Sequence, residues 1–155
     1  MTTVLEWAEK AGLENLRDHA NNAELMQRQV STLLTLLLSG AGAALYFAVA
    51  NREFIIASVV ISLWLFGIAA ILTLKCLMFG DFPSVWNEPK NLNLKGYSLS
   101  QLREYELENL QERISDAARI NFIKSLRLNN CILATCFTPL IGILTLFVSA
   151  SRFCA

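Results

Sequence analysis

The chain has 155 residues with 13 Lys+Arg, 13 Asp+Glu and one histidine, yet 54% of it is hydrophobic and its mean hydropathy is +0.44. A zero net charge leaves generic binding of duplex DNA without support, and a single imidazole excludes a metal site built on paired histidines. A soluble domain of this length rarely carries so much apolar surface, and here the excess is gathered into three blocks.

Residues 1–30 hold five acids (Glu6, Glu9, Glu14, Asp18, Glu24) and no apolar run, so no cleavable signal peptide is expected and the first apolar block should serve as an uncleaved anchor. Leu5, Ala8, Gly12, Leu16, Ala20 and Ala23 recur at helical spacing, which predicts one helix or two, weakened at Gly12. The segment is net negative and unsuited to lying on an anionic membrane surface. It is expected to pack on another polar part of the chain.

Ser31–Ala50 and Phe54–Leu74 are each uncharged and about 20 residues long, the length needed to cross about 30 Å of hydrocarbon. Only Asn51, Arg52 and Glu53 separate them, so they should form a tight transmembrane hairpin over residues 31–79. Residues 80–97 contain Gly80, Pro83, Pro89 and Gly96 and are expected to be a loop. At Ser98 the pattern Ser98-Leu99-Ser100-Gln101 fits a capping box and opens a helix over 98–128 with no Pro or Gly. Leu99, Leu102, Leu110, Ile114 and Ala117 form its apolar stripe, which residues 3–28 or a second copy could bury.

The third apolar block, Cys131–Ser151, lies in a segment 129–151 and contains Pro139, which frees a carbonyl near Thr135. No breaker separates it from the helix before it, so the two are either continuous or fold back at Asn129-Asn130. The fold class expected is therefore an all-α membrane protein: three transmembrane helices, an N-terminal cytoplasmic helix, and a long cytoplasmic helix running into the third span.

Eleven of the 13 Lys+Arg flank the spans on one side, with only Arg52 and Arg152 on the other. Positive charge collects on the cytoplasmic side, which places the N-terminus inside and the C-terminus outside an inner, or plasma, membrane. Tyr46, Phe47 and Phe54 at the hairpin end, and Phe79, Phe82 and Trp86 after the second span, suit the two interfaces, as do Phe147 and Phe153 near the end of the third.

Neither nucleotide-binding glycine motifs nor a catalytic Ser-His-Asp or Cys-His spacing is present, so no enzymatic activity, cofactor or metal is expected. Cys76, Cys131 and Cys136 read as packing residues, and Cys154 as a weak candidate for pairing between subunits. Candidate functional residues fall into two sets. Thr32, Thr35, Ser39, Gly40, Ala43 and Ala44 in the first span, Ser58 and Ser62 in the second, and Thr135 and Pro139 in the third are candidates for helix packing or pore lining. Three spans cannot enclose a pore alone, so a channel would require a homo-oligomer. Arg113, Arg119, Lys124 and Arg127 approach the membrane and are candidates for contact with lipid headgroups or an anionic ligand.

A polar lead, Glu24–Leu45 (ELMQRQVSTLLTLLLSGAGAAL), enters the first span, and a tight hairpin, a long cytoplasmic helix and a final span follow. This order resembles the small membrane effectors of bacterial anti-phage operons, the transmembrane effectors of Pycsar and related SLATT-type systems. The resemblance implies a partner enzyme that makes a nucleotide signal, and disruption of the membrane on activation. The expectation is an oligomeric inner-membrane effector. The alternative is a non-conducting scaffold that recruits a soluble partner through residues 98–128.

Overall fold

The computed structural model of the protein describes residues 4–78, 82–85, 96 and 98–153, the last five of these by backbone alone. Most of the expected loop 80–97, the aromatics Phe79 and Trp86, the side chains of Arg152 and Phe153, and Cys154 lie outside what is described. Among the described residues every regular element is helical. Helix α1 is Val4–Ala50, α2 is Ile55–Leu72, α3 is Leu99–Cys136 and α4 is Thr138–Phe153.

The chain divides into two compact units. One joins Met1–Met26 with Gly80–Ile123, the other Gln27–Phe79 with Lys124–Ala155. Both α1 and α3 contribute residues to each unit without a break in the helix.

In the first, polar unit, the start of α1 packs on the first half of α3. Leu16, Leu110 and Ala117 are buried, with Leu13, Phe82, Val85 and Ile114 around them. The apolar stripes on both helices thus meet each other within one chain, except at Leu99, which remains 71% exposed. Gly12 does not break α1, which is one helix through this point. A Cβ there would stand 2.6 Å from Leu110 Cδ2, so the glycine is what lets the two helices approach closely. Asn121 donates from Nδ2 to the His19 carbonyl at 2.8 Å, and Arg103 pairs with Glu6 at 3.6 Å. At the start of α3 the capping box forms in both directions. The Gln101 amide donates to Ser98 Oγ at 3.4 Å and the Ser98 amide donates to Gln101 Oε1 at 3.0 Å.

In the second, apolar unit, α1 and α2 are joined at Asn51 and a 3₁₀ turn, Arg52–Phe54, closed by a bond from the Phe54 amide to the Asn51 carbonyl at 3.1 Å. Phe47 and Phe54 stack across this turn with ring centroids 6.1 Å apart. Val30, Leu37 and Ala41 of α1 are buried with Leu65, Ile68 and Leu72 of α2 and with Leu128 and Cys131 of α3. Helix α2 ends in a π-helical turn, Thr73–Leu77, in which the Met78 amide donates to the Thr73 carbonyl at 3.1 Å.

Three helical stretches are long and apolar enough to cross a membrane, within Val4–Ala50, Arg52–Leu77 and Leu99–Val148. Their outward surfaces are strongly apolar. Leu63 is 66% exposed, Leu144 65% and Phe147 72%, and exposed apolar side chains of this number are stable in hydrocarbon and costly in water. The arrangement is consistent with a multi-pass membrane protein.

Candidate functional site

The helix-packing candidates separate into an inward and an outward set. Gly40 faces α2, where an added Cβ would lie 3.2 Å from Leu65 Cδ1. Beside it Ala41 is fully buried, and its carbonyl accepts the Ser62 hydroxyl at 3.0 Å. Ser58 is buried too, and Ala44 is half-buried. Ala41 and Ala48 are buried at the contact although the sequence reading did not single them out. Their spacing from Leu37, four and then seven residues on, was the available signal.

Thr32, Thr35 and Ser39 are exposed on the other side of α1, and Ala43, also exposed, lines a cavity with Ser58 and Gly142. The Thr32 and Thr35 hydroxyls donate back to the carbonyls of Arg28 and Ser31, each at 3.0 Å. Thr135 does the same to Cys131 at 2.8 Å. These hydroxyls are satisfied within their own helices, which leaves the exposed face of α1 at Thr32 and Thr35 with small side chains and no free donor.

The α3–α4 junction is at Phe137, eight residues beyond Asn129, and α3 runs unbroken through Asn129-Asn130. The Phe137 amide makes a tightened bond to the Ala134 carbonyl at 3.2 Å, and α4 restarts with Pro139 in its first turn. Proline is tolerated there because the first-turn amides have no intrahelical acceptor, whereas the Thr135 carbonyl loses the donor a helix would give it. The Thr138 hydroxyl oxygen is buried beside this break with no hydrogen-bond partner.

Near the hairpin turn, an open cavity of about 470 Å³ is lined by Ala43, Phe47, Phe54, Ser58, Gly142 and Leu146, among others. Ser58 supplies its one polar side chain, so the cavity suits hydrocarbon better than water, which needs two to four polar partners.

The basic candidates are not one cluster. In the polar unit Arg113 donates from Nη2 to Glu106 Oε1 at 2.6 Å and from Nη1 to the Ser84 carbonyl at 3.4 Å, tying residues 82–85 to α3. Arg119 is exposed and lies 3.7 Å from Asp116 one turn earlier. In the apolar unit Arg127 donates from Nη1 to the Lys75 carbonyl at 2.9 Å, and Lys124 is half-buried one turn before it. Lys75, absent from the sequence-based set, joins this group because the π turn directs its carbonyl to Arg127.

Among the described residues no three of His, Cys, Asp and Glu gather as metal ligands. No protein-family model matches the chain, and neither a curated protein nor a solved structure is similar to it.

Proposed function

We propose that the protein is a membrane effector: several copies assemble in an inner membrane and permeabilise it when a trigger acts on the polar unit. The observation that carries this reading is that α1 and α3 each belong to both units without a helical break. Neither helix is interrupted where the units meet along the chain, so a change in how α1 packs on α3 around Leu16 and Leu110 acts on helices that also contribute to the apolar unit. The outward small-residue face Thr32, Thr35 and Ser39 offers close helix approach between copies, and Pro139 offers a place for the third apolar segment to bend. The charge asymmetry supports a cytoplasmic polar unit and an outside C-terminus. The resemblance to anti-phage effectors points to a nucleotide product of a partner enzyme, or that partner itself, as the trigger.

Membrane potential and dye uptake in expressing cells test the proposal. Depolarisation that depends on expression, and that is lost in Gly40→Leu, supports it. An intact potential under every activating condition overturns it.

A scaffold function is favoured instead by Tyr105 (58% exposed) and Phe122 (69% exposed), two aromatics uncovered on α3. If Tyr105→Glu and Phe122→Glu abolish capture of a soluble partner while the membrane stays tight in all forms, the scaffold reading holds.

A further inference from the structure

The open cavity near the hairpin turn lies wholly within the apolar unit, and three helices form its walls. Ala43, Ala44 and Phe47 come from the last two turns of α1, Ala57 and Ile61 from the first two of α2, and Gly142 and Leu146 from α4. The space exists because the side chains around it are small. Gly142 sets how near α4 comes to α2, since a Cβ there would lie 3.4 Å from Ile61 Cδ1. Toward the turn, Ala43, Ala44 and Ala57 offer one methyl each and leave about 470 Å³ unfilled. The Phe47 and Phe54 rings, 6.1 Å apart, bound the cavity at the turn itself.

The walls specify the chemistry of an occupant. The Ser58 hydroxyl is the one polar side-chain group in the lining, too few partners for water. Left empty, the space would forfeit dispersion contacts on every wall. Its volume falls in the range of pockets that hold ligands, about 300–1,000 Å³.

The cavity is also reached from outside. Phe47 is 48% exposed, Leu146 43% and Phe54 41%, so the walls continue onto the outer surface of the apolar helices. Its depth matches one half of a bilayer. Phe54 to Ile61 covers about 10 Å along the helix at 1.5 Å per residue, and half of a 30 Å hydrocarbon core is about 15 Å. A compact soluble ligand would have to cross headgroups to reach this space. A lipid chain already lies beside it.

We propose that this cavity binds one acyl chain of a membrane lipid, entering from the leaflet at the hairpin turn. The chain fills the gap that Ala43, Ala57 and Gly142 leave, and packing rather than hydrogen bonding holds it. The inference rests on the apolar segments lying in a bilayer, and not on permeabilisation or on any trigger.

The test uses the full chain in phosphatidylcholine nanodiscs that contain a phosphatidylcholine with a diazirine on one acyl chain. Irradiation and peptide mass spectrometry map where the chain inserts. Label at Ile61 and Leu146 should exceed that at the lipid-facing Leu63 and Leu144. Ala43→Trp, which puts an indole into the space, should lower the label at Ile61 and Leu146 at least about threefold. Ala43→Leu should lower it less, and serves if the tryptophan variant fails to insert. Leu36→Trp adds the same ring at an exposed position two turns away and should leave the label unchanged. Ser58→Ala should also leave it unchanged, because a methylene chain makes no use of the hydroxyl.

Label at Leu63 and Leu144 without an excess at the lining overturns the site while keeping the helices in the bilayer. So does a lining label that neither Ala43 variant lowers. Loss of label in Ser58→Ala means that a polar group occupies the space and overturns the acyl chain. A lining protected from the probe, with Ala43→Cys crosslinking two copies, gives the cavity to a second protomer and overturns the lipid. Absence of label at every position overturns the bilayer reading and the site with it.

Discussion

The Ser62 hydroxyl on α2 donates to the Ala41 carbonyl on α1 at 3.0 Å, with Ser62 1% exposed and Ala41 fully buried. In hydrocarbon, apolar side chains gain little by leaving lipid for protein, so a bond of this kind and the close fit around it hold the hairpin together. Ser62→Ala should destabilise the pairing by about 0.5–1.5 kcal/mol. Ser62→Leu, which removes the bond and forces the helices apart, should cost more. Thermal unfolding in detergent, followed by circular dichroism, measures both, and an unchanged midpoint for Ser62→Leu would contradict this account.

Gly12 and Gly67 should respond oppositely to the same change. Alanine in a helix interior ordinarily gains about 1 kcal/mol over glycine. At Gly67 nothing lies within 4 Å of the new methyl, so Gly67→Ala should be neutral or stabilising. At Gly12 the methyl would meet Leu110 at 2.6 Å, and overpacking of about 1–3 kcal/mol offsets the gain. Gly12→Ala should therefore be neutral to destabilising, and Gly12→Leu should loosen the polar unit further, read as faster amide exchange in α1 before Met26.

Asn121 is 9% exposed and donates to the His19 carbonyl, while its Oδ1 is buried with no partner. Asn121→Ala removes a favourable bond and an unsatisfied acceptor together, so its cost should be small, about 1 kcal/mol or less. Asn121→Asp removes the donor and sets a carboxylate against a carbonyl, and should cost several times more at neutral pH. Denaturant titration at pH 7 compares them. Equal costs would mean that the amide bond is not what matters.

Arg113 and Glu106 are each about one-fifth exposed and meet at 2.6 Å. Partial burial and a charge-assisted bond should give a coupling energy of about 1–2 kcal/mol, above the usual surface pair. A double-mutant cycle with Arg113→Gln and Glu106→Gln measures it. A value near zero would return Arg113 to the set of cations available to a ligand.

Pro139→Ala returns an amide hydrogen that can reach the Thr135 carbonyl, so α3 and α4 should merge into one helix through Phe137. Spin labels at Leu133 and Leu144, both exposed, should move apart or sharpen in distance distribution. If the proposed bending matters for permeabilisation, the same variant should alter dye leakage while leaving the protein in the membrane.

The sequence alone determined the elements whose signal is polarity against a polar background. Three uncharged stretches near 20 residues, the Ser98-Gln101 box, and the matching stripes around Leu16 and Leu110 are of this kind, because water penalises the wrong choice at each position. Only the tertiary structure decided which face of each apolar segment turns inward. Ala41 faces α2 while Thr35 and Ser39 face away, and where nearly every residue is apolar or small, hydropathy has no phase to read. The tertiary structure likewise made Gly12 a point of close contact rather than a weak point. It divided the basic residues, giving Arg113 to Glu106 and Arg127 to the Lys75 carbonyl. Those outcomes depend on which atoms meet across two helices, and spacing along one helix does not contain that information.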